Sequence, residues 1–478
     1  MEKTNIEQLE SLLKIQSDDF TKAGVPSADV RIARLDKGLR LLLDNRDKIV
    51  EAVSDDFGHR STEVTLFADI VSSVNAFKDA KKHVKKWMKV EKRGLRFPLG
   101  LLGAKAEVRF QPKGVVGIIA PWNFPIGMMF IPLSNALAAG NRAIIKPSEH
   151  TPRTSALIER LVAETYDETE VRVITGGPAV GAAFSALPFN HIIFTGPTFV
   201  GKLVMEAAAK NLTPVTLELG GKSPVFVSKT ADLEMVAERV AFGKFMNAGQ
   251  ICLAPDYLFI DEARRDEFAD VFVKTAGRMY PTMLANDDYT SIITPLHRER
   301  LESWLDDARE KGGDVRMINP ANEDFSGQNK TNKVPGALIL NPSEDMKVLQ
   351  GEIFGPIMPV MTYKDVGEVV DYINAKPRPL ALYYFGSDKA EEDKLLNHTV
   401  SGGVTINSVI MHGGHDTVPF GGVGASGIGN YHGHDGFKTF SHARTVLRHP
   451  KFSIERLIGL IPPYGKKIRN AINMDLKG

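Results

Sequence analysis

The chain has 478 residues, 43% hydrophobic and 24% charged, a balance that excludes collagenous, disordered and disulfide-scaffold proteins and implies two or three domains with sizeable cores. Fifty-nine Lys and Arg stand against 58 Asp and Glu, a net charge of +1; with no surplus of positive charge, nucleic acid is not an expected partner. The only cysteine, Cys252, rules out an intrachain disulfide. An acidic, polar N-terminus unlike a signal peptide agrees with it in predicting a cytoplasmic location.

Residues 1–92 read as amphipathic helices, with Ile32, Leu35, Leu39 and Leu42 at helical spacing. Gly and Pro then punctuate the chain around an alternating "AEVRF", which predicts a hairpin arm over residues 93–113. Residues 114–140 carry no charge, yet Pro121, Asn123, Pro125 and Pro132 interrupt them. A buried strand, turn and helix is therefore expected there, not a membrane span. Strands and helices alternate from 114 to 218 and again from 219 to 407, which predicts two doubly wound α/β domains. The first, with residues 1–92, is the candidate NAD-binding domain, and the second holds Cys252. Residues 408–445 are too glycine-rich to suggest regular structure and are grouped with the hairpin as a bridging, oligomerisation arm. The basic, mildly amphipathic tail, 446–478, reads as a surface helix or packing arm without firm membrane association.

Five places carry candidate chemistry. In "HIIFTGPTFVGK" a strand ends in Thr195 and Gly196, and Gly201 is read as opening a helix; such glycines admit a phosphate to backbone amides, or mark a plain turn and cap. In "IIKPSE", Lys146 and Glu149 suit the two hydroxyls of a ribose, where a carboxylate disfavours a 2′-phosphate; singly they read as solvated charges. Glu218 ends the apolar strand of "TLELGGKSP" and is either held by backbone donors or raised in proton affinity to serve as a general base. Asn123, between prolines, either caps the next helix or donates to an oxyanion. Cys252 follows Gly249-Gln250-Ile251 and is either a small core residue or a nucleophile with room for substrate.

In order, "PWNFP", "KPSE", "FTGPTFVG", "LELGGKSP", "GQIC", "EIFGP" and "PFGGVGASG" resemble motifs of the aldehyde dehydrogenase superfamily, and "CLAPDY" and "GNYHGHDGFKTFSH" resemble its class 3 branch. The resemblance implies that Cys252 attacks the aldehyde carbon, that Asn123 and the Cys252 amide hold the oxyanion, and that Glu218 activates the water releasing the acid. It further implies that Lys146 and Glu149 bind the adenosine ribose and that Gly196 and Gly201 border the pyrophosphate. Trp122, Glu352 and Phe354 would complete the cofactor site. The cofactor so implied is NAD, with NADP as the alternative, and the assembly a homodimer. Hydride leaves only from a tetrahedral carbon that a nucleophile has created, and a thiolate is the natural nucleophile, provided nearby donors lower its pKa.

Gly127 and Ile131, on the helix after Asn123, suggest a roomy apolar tunnel for an aromatic or medium- to long-chain aldehyde; the resemblance implies coniferyl aldehyde as a candidate. His412 and His415 are placed near its mouth, without the ligand spacing of a metal site. Rival readings are transfer of the thioester to coenzyme A, a cysteine hydrolase pairing Cys252 with a histidine, and a binding protein that has lost catalysis.

Overall fold

The computed structural model describes residues 2–476. Helices fill the chain as far as Trp87. The Ala28–Asp44 helix is typical: the Ser27 hydroxyl accepts from the Val30 amide at its start, and Leu35 and Leu42 are buried on one face. A hairpin follows, β1 (Glu91–Arg93) antiparallel to β2 (Lys105–Pro112).

The first doubly wound sheet comprises β3 (Val115–Ile119), β4 (Arg142–Lys146), β5 (Val171–Val173), β6 (His191–Gly196) and β7 (Val215–Leu219). They lie in the parallel order β7-β6-β3-β4-β5, so the order reverses between β3 and β6, where such sheets bind ligands. The uncharged stretch supplies β3, a turn and the almost wholly buried Gly127–Ala139 helix. Among the described residues no helix is long and apolar enough to cross a membrane.

Residues 220–222 alone separate β7 from β8 (Ser223–Val227), which starts the second sheet. With β9 (Pro255–Asp261), β10 (Asp314–Ile318), β11 (Gly336–Leu340), β12 (Ile357–Tyr363), β13 (Ala381–Phe385) and β14 (Gly403–Ile406) it forms the order β10-β11-β12-β9-β8-β13-β14, parallel except at β10.

The glycine-rich stretch departs from expectation, because it contains β15 (Gly427–Ile428), the Gly433–Thr439 helix and the start of β16 (Ser441–Arg448). Glycine at 427 does not signal coil. A Cβ there would lie 2.4 Å from the Leu217 carbonyl, so its absence is what lets β15 approach β7 and set Gly427 opposite Glu218. β16 pairs with β2 along its whole length, giving the arm a three-stranded sheet, β1-β2-β16. The Lys466–Leu476 helix of the tail buries no residue.

Candidate active site

The two sheets face each other with opposite ends. Asn123 and Gly196 follow or close β3 and β6 at their carboxyl ends, whereas Cys252 and Glu352 precede β9 and β12 at their amino ends. Between them lies a cavity of about 620 Å³ lined by Trp122, Asn123, Gly196, Glu218, Cys252, Glu352 and Phe354. Of the residues singled out in the sequence, Lys146, Glu149 and Gly201, and also Gly127, His412 and His415, lie outside this lining. Lys146 ends β4 and pairs with Glu149 at 2.9 Å. Gly201 does not open a helix: the Thr198–Ala209 helix begins a turn earlier. A Cβ on Gly201 would sit 2.6 Å from a Leu219 methyl, so this glycine serves close helix–strand packing.

The chain reaches Cys252 through a left-handed turn, Asn247 and Ala248 at φ 52° and Gly249 at φ 73°. The amide of Asn123 donates to the Gln250 carbonyl at 3.1 Å. Asn123 does not cap the following helix; Asp69 does, its Oδ1 accepting from the Ile126 and Gly127 amides at 3.1 and 2.7 Å. Asp69 is fully buried against Arg60 at 2.9 Å, and the Arg60 guanidinium lies over the rings of Phe57 and Phe124. Trp122 packs edge-on against His297 and Phe354, at 5.3 and 5.4 Å between ring centroids.

The charge of Glu218 in this cavity is uncompensated. Glu218 is 3% exposed and neither carboxylate oxygen has a hydrogen-bond partner, so burial raises its pKa well above the carboxylate range. The reading in which backbone donors satisfy it is therefore excluded. Cys252 is half-buried, and burial together with the Glu352 and Glu218 charges pushes its thiol up to about 12. The backbone amides of Cys252 and Leu253 act to lower the thiol pKa, as expected of nearby donors, but burial first and the two acids second outweigh them.

Groups that sequence reasoning missed hold the Glu352 loop. Lys222 is ion-paired with Asp256 and donates to the Val348 and Gly351 carbonyls at 2.7 and 3.0 Å. Asp256 accepts from the Ile353 amide at 2.9 Å, and Arg300 donates to the Ile353 carbonyl at 2.7 Å. The quoted motifs contained Lys222 and Asp256, but nothing in their spacing marked them as partners.

The model of the aldehyde dehydrogenase family matches residues 2–446. The chain belongs to the aldehyde dehydrogenase family. It is 50% identical over 470 residues to a probable coniferyl aldehyde dehydrogenase of Caulobacter vibrioides, covering 98% of this chain and 97% of that one. It is also 50% identical over 468 residues to the coniferyl aldehyde dehydrogenase of a Pseudomonas species, covering 98% and 96%. A solved structure of Staphylococcus aureus AldH in a substrate-bound state superimposes with a TM-score of 0.90 at 35% identity, covering 97% of this chain and 99% of that one.

In this aldehyde dehydrogenase Phe124, Met128, Ile131, Phe242, Phe420 and Tyr431 also line the cavity that holds Cys252. Ile131 lines it, as expected. Gly127 does not: a Cβ there would face Asp69 and the Ala68 carbonyl, so Met128 is the neighbour that shapes the wall. His412 is bonded to Thr405 at 2.8 Å and packs toward Phe420 and Tyr383. Among the described residues no cluster of three or more His, Cys, Asp or Glu suits a metal ion.

Proposed function

We propose that this aldehyde dehydrogenase oxidises an apolar aldehyde, aromatic or of medium to long chain, to the carboxylic acid through a thiohemiacetal and then a thioester on Cys252. The observation that carries this reading is the convergence of Cys252, Asn123 and Glu218 on one cavity whose far wall is apolar. In this scheme the Cys252 thiol gives its proton to solvent water and the sulfur adds to the carbonyl carbon, whose π electrons pass to the oxygen. The oxygen that becomes negative is held by the Cys252 backbone N–H and by the second N–H of the Asn123 amide, the first being committed to Gln250. Bound NAD(P) supplies the hydride acceptor. Glu218, in its ionised form, then takes a proton from water; the hydroxide adds to the thioester, and the Cys252 sulfur leaves as the acid forms.

The residues fit a dinucleotide. The first amides of the Thr198–Ala209 helix have no side-chain cap and lie beyond Gly196, where a pyrophosphate would sit on the positive helix end. Lys146 and Glu149 would take a ribose diol, with the carboxylate favouring NAD over NADP. Glu352 has an unpartnered buried oxygen for the second ribose, and Trp122 and Phe354 would wall the nicotinamide. Gly201 would act indirectly, by letting that helix close on β7.

Coniferyl aldehyde is the substrate favoured by the named relatives and by the aromatic tunnel. Transfer to coenzyme A is disfavoured by Glu218, which has no task without water as acceptor. A cysteine hydrolase is disfavoured because, among the described residues, no histidine is hydrogen-bonded to Cys252; His297, in the same cavity, is bonded to Thr294. We assign the enzyme to the cytoplasm as a homodimer joined through the arm, which light scattering of the purified protein measures.

The test is NADH or NADPH formation from benzaldehyde, cinnamaldehyde, coniferaldehyde, hexanal and acetaldehyde without coenzyme A, by the wild type and Cys252→Ala. Wild-type turnover should favour the aromatic aldehydes and NAD, and Cys252→Ala should bind NAD but form no NADH. Substantial turnover by Cys252→Ala would overturn the mechanism.

A further inference from the structure

Gln250 is buried and every polar atom of its side chain is used. Nε2 donates to the Asn247 and Ser291 carbonyls at 2.9 and 3.0 Å, and Oε1 accepts from the Ile293 amide at 3.0 Å. Its own carbonyl accepts from Asn123 and from Asn247, at 3.1 and 3.2 Å. These bonds close a ring of contacts through both halves of the site. Ser291 donates its amide to the His59 carbonyl at 2.9 Å. Arg60, next in the chain, pairs with Asp69, and Asp69 caps the Ile126 and Gly127 amides just beyond Asn123. Asn123 returns the ring to Gln250.

Inside the ring is a strained turn, closed by the Gln250 backbone N–H donating to the Asn247 carbonyl at 3.1 Å and by the Asn247 side-chain amide donating to the Asn123 and Gln250 carbonyls at 3.2 Å each. Ala248 bears a Cβ yet lies in the left-handed region at φ 52°, between Asn247 in the same conformation and Gly249, a geometry that side-chain-bearing residues disfavour. The bonds that close the turn lie within it and to Asn123; the Gln250 side-chain amide is what ties the turn, at Asn247, to the outside segment, at Ser291 and Ile293.

We propose that Gln250 is a positioning residue that registers the oxyanion donor of one domain with the nucleophile of the other. One N–H of Asn123 is fixed on the Gln250 carbonyl two residues before Cys252, so the second N–H and the Cys252 amide point to one place only while the turn is held. Gln250 touches neither substrate nor cofactor in this scheme. The inference rests on the reading of Cys252 and Asn123 given above.

The test compares Gln250→Met, which keeps the volume and removes the polar grip, with Gln250→Glu, which keeps the acceptor for Ile293 and removes both donors. The single-turnover rate of NADH formation should fall about 10- to 100-fold in Gln250→Met, with a fall at least as large in Gln250→Glu, whose buried carboxylate faces the Asn247 and Ser291 carbonyls. Alkylation of Cys252 by iodoacetamide and affinity for NAD should stay within about threefold of wild type, which a general loss of structure would not allow. Adding Ala248→Gly to Gln250→Met should restore part of the rate, because glycine adopts the left-handed turn unaided. Asn123→Ala should cost much less in the Gln250→Met background than in the wild type. An unchanged single-turnover rate in both Gln250 variants, or equal cost of Asn123→Ala in both backgrounds, overturns the inference. If Gln250→Met does not fold, Gln250→Glu and its cycle with Asn123→Ala decide by the same criteria. Cys252→Ala separates the two levels: NADH formation there removes the underlying mechanism, whereas its loss alongside intact Gln250 variants removes only the role of Gln250.

Discussion

Glu218 is held where its charge is least welcome, and the consequence is measurable on both activity and stability. A carboxyl whose folded pKa is raised stabilises the fold fully below its unfolded value, 4.5, and loses that contribution as pH climbs toward the folded value. Glu218→Gln, which never ionises, should therefore raise the melting temperature at pH 7 to 8, with the gain vanishing below about pH 4.5. The same change should keep the first burst of NADH and lower steady-state turnover about 10²- to 10⁴-fold; loss of the burst itself would speak against a role in deacylation. The wild-type turnover should rise with pH across the neutral range, since only ionised Glu218 takes a proton from water. Cys252 behaves in parallel. With its thiol pushed up to about 12 in the protein without cofactor, its alkylation rate should climb about tenfold per pH unit and show no plateau below pH of about 9. A plateau near neutrality would show that the thiol is stabilised by a cation.

Elements, rather than residues, carry Glu218 to the cavity. β7 ends in Leu219, and β15 returns from far along the chain to pair antiparallel beside it. Gly427→Ala would drive a methyl against the Leu217 carbonyl and separate the two strands. The expected result is a loss of deacylation larger than any loss of the initial burst, with a fall of about 1–3 kcal/mol in stability by urea titration. β3, β4, β6 and β7 were legible as apolar runs between helical segments, because a parallel sheet buried on both faces needs such runs. β15 was not, since two residues of glycine-rich strand have neither length nor pattern. Nor was β16: its exposed residues include Arg444, Thr445, Leu447 and Arg448, so no apolar alternation betrays that it is an arm strand pairing with β2. The capping of the Gly127–Ala139 helix by Asp69 was hidden for another reason. The cap comes from a π-helical turn, Thr65–Val71, more than fifty residues earlier, and local spacing has no access to so distant a partner.

At the scale of the molecule, two α/β units are legible from alternation alone, and the seven ordered motifs lead to the family that the comparisons show. The direction in which the second sheet meets the first is not legible. Cys252 and Glu352 lie at the amino ends of their strands, and an expectation based on one sheet looks only to carboxyl ends. The charge environment is likewise a property of the assembled whole: Glu218, Cys252 and Glu352 are well separated in sequence, and their meeting in one cavity adds to burial in making the thiol reluctant to ionise. The lone thiol has a practical corollary at this scale. Because the chain has one cysteine and that residue is half-buried on the cavity wall, a thiol reagent small enough to enter reports one site per chain. Its stoichiometry should equal the fraction of competent enzyme in any preparation, and occupancy of the cavity by aldehyde should protect it. The protein thus carries its own active-site count.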